Sequence, residues 1–101
     1  MKAAKTPAPP TALTVDKTTV APGGSVTVTL TGGQGGSTDW LSFALVSAPN
    51  TSCPLWTYVG SGVTTRTWTI TAPSTPGTYE FRLFLNGGYT RAATSPPVTV
   101  Q

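Results

Sequence analysis

Short runs of strict alternation, each closed by glycine or proline, constrain this chain more than any other feature. In SVTVTLT, Ser25 to Thr31, the apolar Val26, Val28 and Leu30 alternate with Thr27 and Thr29. That is the period of a strand with one buried face and one wet face. Further on, Trp68, Ile70 and Ala72 alternate with Thr67, Thr69 and Thr71, and Tyr79, Phe81 and Leu83 alternate with Glu80, Arg82 and Phe84. A last short run places Val98 and Val100 inward. About a fifth of the 101 residues are Thr, with 11 Gly and 10 Pro, a composition that suits pleated strands and turns and disfavours long helices. A chain of this length has room for one core. About seven short strands between Gly/Pro corners predict an all-β, two-sheet Greek-key sandwich.

Other segments are less clean. Residues 40–46 put Leu41, Phe43 and Leu45 on one face and Trp40, Ser42 and Ala44 on the other, so both faces carry apolar side chains. SAPNTSCP then reads as a connecting loop, and LWTYV, Leu55 to Val59, as a further short strand. Residues 1–10, MKAAKTPAPP, read as a Pro/Ala-rich linker or leader, because each proline fixes φ and removes a backbone donor. Residues 11–101 are expected to form the domain, and the leader suggests a module attached to neighbouring domains.

Charge excludes several function classes. The net charge of +3 comes from Lys and Arg residues scattered along separate segments, with none of the clustering that nucleic acid requires. No apolar run approaches the roughly 20 residues of a membrane-spanning helix. The glycine run GGQGG, residues 32–36, is not a phosphate cradle, since a strand and not a helix follows it. The chain has no histidine, and its acids are Asp16, Asp39 and Glu80, which form no evident general acid–base pair and lie too far apart in sequence to suggest a metal cage. Asp39 is expected to cap its loop and Asp16 a turn, while Glu80 and Arg82 share a strand face as an exposed ion pair. No enzyme activity, cofactor or metal is expected. Lys17 with Asn50 or Asn86 is the conceivable isopeptide combination, but Asn86 lies in LNGGY, whose evident use is a turn. Cys53 is a single cysteine, so no internal disulfide is expected, and Cys53 is read as a small residue near a strand start or as a free thiol able to pair between chains; the isolated domain is expected to be a monomer.

The stretches LTVDKTTVAPGGSVTVTLTGG, TDW, LWTYVGSG and TAPSTPGTYEFRLFLNGGYTRAATSPPVTV together resemble a family of immunoglobulin-like modules appended to secreted bacterial multidomain proteins. The resemblance spans about Leu13 to Val100, and its most specific part is PGTYEFRLFLNGGYTRAATS. After Trp40 the chain departs from the pattern, with LSFALVSAPNTSCP where family members have a more compact run. The resemblance implies an immunoglobulin-like sandwich, an extracellular or cell-surface location and an accessory role beside a catalytic domain. In many such sandwiches a tyrosine at the place of Tyr79 caps the preceding corner through its hydroxyl. Phe81 fills the position where antibody domains carry their second cysteine.

The aromatic residues are the one set with functional reach, because exposed rings stack on sugar faces while their polar edges stay wet. Alternation assigns Trp68 and Phe81 to the core. Trp56 and Tyr58 share a strand face opposite Leu55 and Val59, and the family's placement of a tryptophan here implies core packing for Trp56. Trp56, Tyr58 and Tyr89 are the candidate glycan platform. The leading expectation is a non-catalytic module acting as spacer, stabilising neighbour or attachment domain. The alternative is a carbohydrate-binding module that keeps a companion enzyme near a polysaccharide, and a further one is a protein-binding or self-assembling surface module.

Overall fold

The computed structural model describes residues 11–101; the linker or leader read for residues 1–10 lies outside them. The described chain is all-β and contains nine strands in two sheets, two more than the alternation suggested. The strands are β1 (Ala12–Val15), β2 (Thr19–Val20), β3 (Ser25–Thr31), β4 (Trp40–Leu45), β5 (Leu55–Tyr58), β6 (Arg66–Thr71), β7 (Gly77–Leu85), β8 (Thr90–Thr94) and β9 (Val98–Val100). One sheet has the order β1-β3-β6. The larger has the order β2-β9-β7-β4-β5, with β8 also paired to β7. All pairings are antiparallel except β2 with β9, which run parallel with Val20 beside Val100.

Both sheets contribute to one core. Val26, Val28 and Leu30 of β3 are fully buried and meet Leu41 and Phe43 of β4, Tyr79, Phe81 and Leu83 of β7, and Val98 and Val100 of β9 in a single apolar cluster. Burying a side chain of this size stabilises by about 1.5 to 3 kcal/mol relative to exposure, and no disulfide assists, since Cys53 is a free thiol. Phe81 is fully buried, whereas Trp68 is only partly buried. β6 is the edge of the smaller sheet, so the Trp68 indole touches the core edge-on against Phe81, at 5.8 Å between ring centroids, and keeps its outer side wet.

β8 and β9 lie one after the other along the same edge of β7. Pro96 and Pro97 interrupt them, because proline has no N–H to give to a ladder. Ser95 closes the break: its N–H donates to the Phe81 carbonyl, and its Oγ accepts the Phe81 N–H at 2.9 Å. β8 did not stand out in the sequence because Ala92 is bulged, leaving Leu83 opposite Ala93 but Phe84 opposite Arg91. The bulge turns Arg91 to the same face as Phe84 and destroys the alternation.

The tyrosine at the β6–β7 corner donates its hydroxyl to the Thr75 carbonyl at 2.8 Å, while its ring stacks on Phe43 at 5.1 Å. Lys17 Nζ donates to the Ser25 carbonyl, and Asn50 pairs with Arg91. Among the described residues no helix is long and apolar enough to cross a membrane.

The outer face of the larger sheet departs furthest from expectation. β4 and β7 are buried on both faces, because residues 46–54 fold back over the sheet. The Glu80–Arg82 pair, expected to be exposed, lies beneath this loop, with Arg82 fully buried and Glu80 nearly so. Arg82 Nε donates to Glu80 Oε2 at 2.9 Å. Its remaining nitrogens donate to the carbonyls of Leu45, Val46, Ala48 and Pro49 at 2.9 to 3.3 Å. Backbone carbonyls that would lose water beneath a loop are thus satisfied by one guanidinium, which is the reason an arginine is tolerated there.

Candidate functional site

The sequence TDW places an acid immediately before β4, and that acid organises one end of the larger sheet. Asp39 is buried. Its Oδ2 accepts the Gly36 N–H at 3.2 Å, and its Oδ1 accepts the Asn86 N–H at 3.0 Å. The Asp39 carbonyl accepts the Val59 N–H at the end of β5. One residue therefore ties together the loop before β4, the end of β5 and the β7–β8 turn. Gly36 is required at its place, since a Cβ there would come within 2.6 Å of a carboxylate oxygen of Asp39.

The β7–β8 turn is built by Asn86 and Gly87, both in the left-handed region at φ 59° and 67°. With Gly88 N–H donating to the Leu85 carbonyl, these two residues form a tight turn that opens a four-residue connection, since Leu85 pairs with Thr90. Gly87 N–H donates to the Thr38 carbonyl at 2.8 Å, a second tie to the loop before β4. The turn presents Tyr89 over the sheet.

Register sets the rest. Trp40 lies between Tyr58 on β5 and Phe84 on β7, and Ser42 lies between Trp56 and Arg82. Trp40, Trp56, Tyr58 and Phe84 consequently share the outer face. Trp40 is buried at the centre, tilted against Phe84 at 4.6 Å, with its Nε1 donating to the Gly88 carbonyl at 3.0 Å. Trp56 lies on one side of it at 6.1 Å and 81°, and Tyr89 contacts it at 5.8 Å and 79°. Tyr58 completes the group, 5.1 Å from Trp56 and nearly perpendicular to it.

Trp56, Tyr58 and Tyr89 are 53%, 52% and 51% exposed. All three line one cleft of about 330 Å³, together with Trp40, Thr51, Cys53 and Gly87. Core packing of Trp56, implied by the family resemblance, is thus overturned. β5 is the edge of its sheet, and the register turns residues 56 and 58 away from the sheet-to-sheet core. Sequence reasoning missed Trp40 as the floor of the cleft. Its signal was present in the two-sided apolar pattern of residues 40–46, which had no assigned partner for the second face.

The far rim comes from the β4–β5 loop held by Arg82. Arg91 reaches from β8 to Asn50 Oδ1 and to Glu80, at 3.1 Å from the carboxylate. Cys53 Sγ donates to the Asn50 carbonyl. The charged side chains near the cleft are therefore engaged with one another or with backbone, and the cleft lining carries no charged side chain. Among the described residues no group of three His, Cys, Asp or Glu side chains is placed to hold a metal ion. No protein-family model matches the chain, and no curated protein matches it.

Proposed function

We propose that this chain is a non-catalytic, immunoglobulin-like accessory module of a secreted or cell-surface protein, and that it attaches to polysaccharide through the aromatic cleft. The observation that carries this reading is the convergence of Trp56, Tyr58 and Tyr89, each half-exposed, on a single uncharged cleft. Isolated exposed aromatics are ordinary on a protein surface, but several lining one concavity are the arrangement of a binding site for apolar faces. The pyranose ring supplies such faces, and its hydroxyls suit the polar edges of Trp and Tyr.

The immunoglobulin-like assignment is supported by the sheet orders, in which β1-β3-β6 faces β2-β9-β7-β4-β5, and by the Tyr79 corner bond. A non-catalytic role is supported by the commitments of the acids. Asp16 accepts the Thr27 N–H, Asp39 accepts two backbone N–H groups, and Glu80 pairs with two arginines.

The second reading is a spacer or stabilising neighbour without a ligand. It is favoured by the structural part the rings also play, since Trp56 and Tyr89 pack edge-on against buried Trp40. Affinity electrophoresis through gels containing soluble polysaccharides separates the two. Attachment requires retardation that persists at high salt and disappears in Tyr58→Ala or Tyr89→Ala proteins with native melting behaviour. Free migration of the parent in every gel supports the spacer.

A further inference from the structure

The mutual orientation of the rings narrows the ligand, on the condition that the glycan reading above holds. A crystalline polysaccharide face presents the rings of adjacent chains in one plane, and a protein gripping it needs exposed aromatic rings that share a plane. Here the exposed neighbours Trp56 and Tyr58 stand almost at right angles, 85° apart, while Trp56 and Tyr89 each meet the buried Trp40 edge-on. No flat surface stacks on Trp56 and Tyr58 at once. A single chain in a cleft meets no such restriction, because one ring lies against a sugar face while a perpendicular ring closes on its edge.

Chemistry restricts the ligand further. The cleft is lined by aromatic rings, Thr51, Cys53 and Gly87, with no charged side chain. Arg91 is turned to Glu80 and Asn50, and Arg82 is buried beneath the loop, so no cation is offered to a uronate or sulfate. Perpendicular aromatic rings also accommodate quaternary ammonium groups. No carboxylate lines this cleft, and the chain carries a net charge of +3, which opposes a cation. The volume of about 330 Å³ lies at the lower end of the range for ligand sites, about 300 to 1,000 Å³, and suits a short length of one chain.

We infer that the cleft takes a single, uncharged polysaccharide chain and not a crystalline polysaccharide surface. Trp40 forms the floor, and of the perpendicular pair Trp56 and Tyr58 one ring lies against a sugar face while the other closes on its edge.

The test uses the intact chain. Its mobility is measured in gels containing neutral soluble polymers (hydroxyethylcellulose, xyloglucan, galactomannan, soluble starch) and acidic ones (alginate, polygalacturonate), each at low and high salt. In parallel, its depletion from solution by microcrystalline cellulose and crystalline chitin is recorded. The expected result is salt-independent retardation by at least one neutral polymer, weakened about tenfold or more in Trp56→Ala, with no depletion by either powder and no displacement by choline chloride. Depletion by a crystalline powder, or retardation by acidic polymers that salt abolishes, overturns the inference and leaves the glycan reading standing. Displacement by choline overturns it in favour of a cation site. Retention by no carbohydrate of either kind removes the glycan reading and this inference with it.

Discussion

The Asp39 carboxylate accepts the Asn86 N–H at 3.0 Å across 47 positions of sequence, joining the start of β4 to the turn that carries Tyr89. Trp40 follows Asp39 directly, and Val59 at the end of β5 donates to the Asp39 carbonyl. The geometry of the aromatic cleft therefore depends on one buried side chain that lines none of it. Asp39→Ala leaves two part-buried N–H groups without their acceptor, and a destabilisation of about 1 to 3 kcal/mol is expected in urea unfolding. Asp39→Asn recovers little of this, since its amide NH2 must face one of the two N–H donors. Gly36→Ala acts on the same contact through the clash of its Cβ with the carboxylate. An Asp39→Ala protein with the parent's denaturant midpoint and the parent's near-ultraviolet tryptophan signal contradicts this role.

Arg82 is the second place where stability is concentrated. A lysine there supplies a point charge with three donors in place of a planar fork that bonds Glu80 and four carbonyls. Arg82→Lys is expected to cost about 2 to 4 kcal/mol, and a double-mutant cycle with Glu80→Gln to give a coupling above about 1 kcal/mol. An exposed pair gives less than that. A cost of Arg82→Lys within about 0.5 kcal/mol shows that the loop is not held as described.

Tyr79 lies on the opposite face of the sheet from the cleft, so its corner bond is separable from binding. Tyr79→Phe removes the hydroxyl bonded to Thr75 and leaves the ring stacked on Phe43. A loss of about 1 kcal/mol is expected, with polysaccharide retardation unchanged. Coincident denaturant midpoints exclude a stabilising corner bond.

What the sequence disclosed and what it withheld follow from local pattern. Val26, Val28 and Leu30 announced their burial because β3 has one dry face, and Asn86-Gly87 announced a turn because few other dipeptides accept two positive φ angles. Trp56, Tyr58 and Tyr89 stood out as rings loosely tied to the alternation, but nothing local brings residue 89 beside residue 56. That proximity comes from strand order and from the Asp39 bonds. Arg82 and Glu80 looked like a wet strand face because period-two reading assumes that the outer face of a sheet is open. Here residues 46–54 cover it through backbone carbonyls, which leave no trace in side-chain pattern.

Cys53 supplies the most direct measurement, because it is one of the residues that line the cleft with Trp40 and Trp56 and its thiol is free. It is the single cysteine of the chain, so its alkylation reports on this site alone. The rate of modification by iodoacetamide is measured with and without a neutral soluble polysaccharide at a concentration that fully retards the protein in gels. Binding in the cleft predicts that the polymer slows alkylation several-fold in the parent and has little effect in Trp56→Ala. An unchanged alkylation rate under full retardation places the polysaccharide elsewhere on the surface and contradicts the assignment of the cleft.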